Sequence, residues 1–140
     1  MNSAVKRLLL SVIALVLAAC TGQRPTDIGI QNGRLAPCPD SPNCVSSFAS
    51  DAEHGIEPLR TDLASIERVL LDLPEANIVN ASNNYLYAEF TSRLMRYVDD
   101  VEFLYDPASG VTHVRSASRL GYSDMGVNRG RIEGIRAALP

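Results

Sequence analysis

The sequence predicts an α+β domain of two layers, in which an antiparallel sheet of about four strands carries two helices. Three observations predict it. An apolar stripe at helical spacing comes early in the domain. Short alternating runs separated by turn residues fill the middle, and a second helical stripe closes the chain.

Taken in order, "VSS" (residues 45–47) reads as a brief strand and "FASDAEHGIEPLR" (48–60) as a polar connection. In "TDLASIERVLLDLP" (61–74), Leu63, Ile66, Val69, Leu70 and Leu73 share one side of a helix. Thr61 or Asp62 is placed to cap it and Pro74 to stop it. "ANIVNAS" and "YLYAEFTS" flank Asn83 and Asn84, residues that tolerate the positive φ of a tight hairpin. Leu86, Ala88 and Phe90 alternate with Tyr87, Glu89 and Thr91, as in a sheet with one dry and one wet face. "VEFLYD" (101–106) and "VTHVRSAS" (111–118) form a further antiparallel pair around Pro107 and Gly110. In the final "NRGRIEGIRAALP", Ile132, Ile135 and Leu139 fall at helical spacing, with Asn128 as the expected cap.

Ahead of the domain, Lys6 and Arg7 precede the apolar run "LLLSVIALVLAA" and then Cys20. Residues 1–19 therefore read as a secretory signal, too short for a membrane-spanning helix. "LAAC" (17–20) is similar to the lipobox of bacterial lipoproteins, which implies lipidation at Cys20, cleavage before it and a membrane anchor. Thr21, in place of aspartate, favours the outer membrane by analogy with the sorting rule of enteric bacteria. Residues 20–34 are expected to be a lipidated, flexible tether, and 35–140 a single domain.

Without residues 1–19 the chain has eleven arginines, no lysine and sixteen acids, a net charge near −5. That balance excludes a general nucleic-acid binder, which needs a broad basic face. Cys38 and Cys44 form an even pair in an exported chain, and a disulfide is the expectation. The competing arrangement is zinc held by these cysteines with His54 or His113, without the usual C-x-x-C spacing. The chain has no P-loop, dinucleotide fingerprint, nucleophile elbow or H-E-x-x-H, and no cofactor is expected.

Three blocks, "APCPDSPNCVSS", "DDVEF" and "VRSASRLGYSDMGVNRGRI", together resemble the bacterial and plastid family catalogued as domain of unknown function fourteen ninety-nine. The resemblance runs from Leu35 to Leu139 and implies no established activity, substrate or catalytic residue. Function must come from the residues. Arg115, Ser116, Ser118, Arg119, Asn128 and Arg129 form a candidate anion-binding set, since arginine forks and helix-start N–H groups both suit an anion. Asp99, Asp100 and Glu102 are available to pair with the same arginines as structural salt bridges. A hydrolytic alternative combines His113 with a serine, such as Ser116 or Ser118, and with Asp100. The expectation is a lipid-anchored, non-catalytic module binding an envelope protein or a small anionic ligand, with a small hydrolase as its rival.

Overall fold

The computed structural model describes residues 3, 5–7 and 21–140, so Cys20 and most of the expected signal lie outside the described residues. The domain comprises β1 (Cys44–Ser46), α1 (Leu63–Leu71), β2 (Ala76–Ala81), β3 (Tyr85–Thr91), β4 (Val98–Asp106), β5 (Val111–Ser118) and α2 (Val127–Ala138). The strands form one antiparallel sheet in the order β1-β5-β4-β3-β2. It has five strands, one more than the expected four. The brief strand read at 45–47 is the additional member, β1, which begins one residue earlier and pairs in register with Arg115–Ala117.

Asp62 caps α1 by accepting a hydrogen bond from the Ser65 N–H at 2.9 Å. The helix ends before Pro74 because Asp72 and Leu73 donate to carbonyls three residues back, at 3.2 and 3.1 Å, tightening the last turn. At α2 the structure corrects the expected cap. Asn128 lies inside the helix and is fully buried, while Gly126, at φ +81°, takes the N-cap position. Asp124 supplies the acceptors instead, binding the Gly126 N–H at 2.9 Å and the Asn128 N–H at 2.8 Å. A carboxylate suits the positive end of the helix dipole better than an amide does, and its use frees the Asn128 side chain.

Both helices pack on one face of the sheet. The row Leu86–Phe103–Val114 crosses β3, β4 and β5 in register, next to the row Ile78–Ala88–Val101–Ser116–Val45. Ile66 and Leu70 of α1 and Ile132 and Ile135 of α2 close over these rows, and Leu59 seals one end. Phe103 is the largest fully buried side chain. Replacing it with alanine removes most of a ring from a filled layer. Phe103→Ala is expected to cost about 3–5 kcal/mol in urea unfolding, with the native circular dichroism retained.

Candidate functional site

Strand alternation divides the predicted constellation. In β5, Thr112, Val114, Ser116 and Ser118 face the helices, whereas His113, Arg115 and Ala117 face the other way, with Arg119 following on that side. The same rule separates Asp99, which pairs with Arg131 on the helix side, from Asp100, which pairs with Arg119 on the far side.

The far face was expected to be wet, but Tyr85, Tyr87, Asp100 and Glu102 are all buried. The cover comes from residues 21–37. Residues up to 34 read as a tether, yet the segment crosses this face as a strap with specific partners. Ile28 and Leu35 pack with Tyr85, Tyr87 and Leu104. Arg24 forks onto Glu89 at 2.9 and 2.6 Å, and the Gly29 N–H donates to Glu102 at 2.7 Å. Local polarity and turn residues give no sign of such long-range pairing.

Two charge systems lie beneath the strap. In the first, Arg119 donates to both oxygens of Asp100, at 2.8 and 2.7 Å, and also to Glu89. The Tyr87 hydroxyl donates to Asp100 at 2.5 Å and lies 3.2 Å from Glu89. Glu89, Asp100 and Ala117 stand in one cross-strand row, and the small Ala117 side chain leaves room for Arg119 to reach back across it. Burial pushes the Glu89 pKa up, but Arg24 and Arg119 outweigh it and hold the carboxyl below its usual value. Hydrogen bonds to Asp100 outweigh burial and raise the Arg119 guanidinium.

The second system is less complete. Glu102 Oε1 accepts from the Tyr85 hydroxyl and the Gly29 N–H, both at 2.7 Å. Its Oε2 lies 3.6 Å from Arg115 Nη1, an ion pair without a hydrogen bond. Arg115 Nη2 reaches Asp27 at 3.5 Å and the Pro37 carbonyl at 3.4 Å. Among the described residues, Glu102 Oε2 and Arg115 Nε and Nη1 are buried side-chain atoms with no hydrogen bond. Burial raises the Glu102 pKa, an effect that Gly29, Tyr85 and Arg115 only partly offset.

On the helix side, Asn128 joins the serines. It accepts from Ser116 at 2.6 Å and donates to Ser118, Asp124 and the Asn43 carbonyl at 2.9, 2.8 and 3.1 Å. Arg131 closes the group by donating to Ser116, Asn128 and Asp99. Arg129 stands apart, bonded to the Gly55 and Glu53 carbonyls at 2.8 and 3.0 Å. The structure therefore brings together Ser116, Ser118 and Asn128, and separates them from Arg115, Arg119 and Arg129.

His113 cannot reach Ser116 or Ser118, which point to the opposite face, so the proposed triad with those serines fails. Its Nδ1 lies 3.1 Å from the Ser47 hydroxyl instead, and its ring stacks on Phe48 at 4.2 Å. Burial lowers its pKa. Cys38 and Cys44 form a disulfide with Cα atoms 5.7 Å apart, which removes the zinc arrangement. Among the described residues, no group of three His, Cys, Asp or Glu could hold a metal.

The sequence reading missed Glu89, Tyr85, Tyr87 and Arg24 as members of these two charge systems. Only the first three carried a signal, since they alternate on the same face as Asp100. A family model described as "Protein of unknown function (DUF1499)" matches residues 34–139, and the chain belongs to that family. The match leaves out residues 21–33, the first part of the strap. No curated protein and no solved structure matches the chain.

The first charge system makes a graded prediction. Arg119→Met strands Asp100 and Glu89 under the strap and is expected to cost about 3–5 kcal/mol. Arg24→Met removes a half-exposed partner and is expected to cost less than about 1 kcal/mol, both read from urea midpoints. The pH dependence separates the two carboxylates. Glu89 contributes stability above the ordinary carboxylate pKa of 4.5, which is lost as pH falls through its lowered folded value. Glu102 has the opposite sign, so stability declines as pH climbs from 4.5 through its raised folded value. Glu102→Gln should abolish that decline, seen in unfolding midpoints measured across pH.

Proposed function

We propose that this family member is a lipid-anchored protein of the cell envelope. It is tethered through Cys20, faces the periplasm from the outer membrane, and carries a domain that works as a non-catalytic binding or scaffolding module. The order of Lys6, Arg7, an apolar run and "LAAC" supports the anchor. The Cys38–Cys44 disulfide fits an oxidising compartment.

The observation that carries the non-catalytic reading is the internal use of the polar constellation. Arg119 and Arg131 are bonded to buried carboxylates and Arg129 to backbone carbonyls. Ser116 and Ser118 are bonded to Asn128, on the opposite face from His113. Partners of such a domain are proteins or surfaces met through its exterior.

One observation favours a small anionic ligand as a second reading. Arg115 keeps two nitrogens, Nε and Nη1, without a hydrogen bond beneath the strap. The Pro37 carbonyl, which it does bond, borders a groove of about 530 Å³ lined by Arg34, Ser46 and His54 among others.

Metabolic labelling with radioactive palmitate tests the anchor: label should enter the wild-type chain and be absent from Cys20→Ser. A thermal-shift panel of phosphates, carboxylates and phosphorylated sugars on the detergent-solubilised full chain tests the module. The expected result is no saturable shift. An anion that stabilises by about 2.7 kcal/mol at a hundred times its dissociation constant, with the effect lost in Arg115→Met, would replace scaffolding with ligand binding.

A further inference from the structure

Large apolar side chains are exposed at one end of the domain. Leu94, Met95 and Tyr97 stand in the loop between β3 and β4, and Leu120, Tyr122 and Met125 in the connection from β5 to α2. The two loops flank a shared cleft of about 420 Å³ lined by Tyr97, Val98, Leu120 and Val127 among others. Leu94 is 89 % exposed and Met125 96 %, values near those of a side chain in free solution. Elsewhere among the described residues, exposed large hydrophobics occur singly, as at Ile30, Leu71 and Val79. Met125 is held outward rather than left loose. Its backbone takes φ +53°, and the Asp124 carboxylate grips the Gly126 and Asn128 N–H groups beyond it.

The charge at this end runs against that of the chain, which is −3 overall. Residues 91–98, "TSRLMRYV", contain two arginines and no acid. Arg93 and Arg96 are exposed and form no ion pair among the described residues, although Glu75 borders the same shallow groove. In the second loop, the charges of Arg119 and Asp124 are already used inside the domain. What remains outward is leucine, methionine and tyrosine beside free arginine. That composition suits the boundary between acyl chains and anionic headgroups.

The position of Gly22, two residues after Cys20, selects a membrane over a protein as the occupant. Gly22 lies against this same end: a Cβ built on it would stand 3.1 Å from Arg119 Cβ and 3.2 Å from Leu120 Cγ. Cys20 is two residues earlier, a reach of at most about 7 Å. Whatever fixes residue 20 in a bilayer brings that bilayer to Leu120.

We propose that the end formed by the 92–97 and 119–127 loops is a membrane-contact surface. It inserts Leu94, Met95 and Met125 at the headgroup boundary and sets Arg93 and Arg96 against anionic phospholipid. The inference rests on the membrane anchoring proposed above. It gives the domain a fixed orientation, with the turn between β4 and β5 pointing away from the membrane. β4 is nine residues long, which puts that turn about 30 Å from the contact surface.

The chain contains no tryptophan, so a single introduced indole reports on one position. The full-length protein is reconstituted into phosphatidylethanolamine–phosphatidylglycerol vesicles containing acyl-chain-brominated lipid. Leu94→Trp, Met125→Trp and Ala108→Trp are compared, the last lying in the far turn. Equal melting temperatures confirm that each variant folds. The expected result is a blue-shifted, strongly quenched indole at 94 and 125 and an unquenched one at 108, with palmitate on Cys20. Palmitate with no quenching at 94 or 125 overturns the contact surface while leaving the anchor, and gives this end to a protein partner. Quenching without palmitate removes lipidation but upholds the surface, with the apolar run before Cys20 as its tether. Absence of both overturns both.

Discussion

The two-point bond between Asp100 and Arg119 sets the terms for the rest of the structure. Asp100 lies in the middle strand of the sheet, on the face away from the helices, and is almost completely buried. A carboxylate in that position is tolerable only if a cation is held against it and the remaining lone pairs are bonded. Arg119 and Tyr87 meet both needs. Arg119 in turn brings in Glu89, and Glu89 brings in Arg24 from the strap. One buried charge thus recruits residues from β3, β4, the end of β5 and the amino-terminal segment.

The opposite face solves a similar problem with one ion pair and a set of neutral groups. Asp99 is held by Arg131, and the guanidinium leans over the Phe90 ring at 4.8 Å while bonding Ser116 and Asn128. Asn128 bonds Ser118 and the Asn43 carbonyl, so α2 is locked to β5 and to the loop before β1 by directional bonds as well as by Ile132 and Ile135. Hydrophobic contact alone would let α2 slide along its apolar stripe. Buried hydrogen bonds with fixed geometry oppose such sliding.

The legible parts of this architecture were the local ones. Period-3.6 and period-2 patterns locate α1, α2 and four of the strands because each buries one face of a regular element. The opposition of Asp99 and Asp100 also follows from alternation. The strap was not legible, since Arg24, Asp27 and Gly29 find their partners more than sixty residues away and carry no period. "RSASR" read as one polar cluster because its residue types were weighed together, although the alternation of β5 sends its arginines and serines to opposite sides. Asn128 was misplaced as a cap because the Asp124 side chain, four residues earlier, satisfies the helix start first.

The strap is fastened differently at its two ends. Its carboxyl end runs into Cys38, which is joined covalently to Cys44 in β1, while its amino end is held by Arg24 and by contacts at Gly22. Tension applied at the amino terminus would therefore load these attachments one after another. Gly22 would lift first, then Arg24 from Glu89, then Asp27 and Gly29 from Arg115 and Glu102. Beyond that the force meets the disulfide, and the hydrogen-bonded ladder of the sheet is reached last. The strap behaves as a sacrificial tear strip. Its separate attachments would give way in steps before the sheet does, uncovering the face of Tyr85, Tyr87 and Leu104 that it shields.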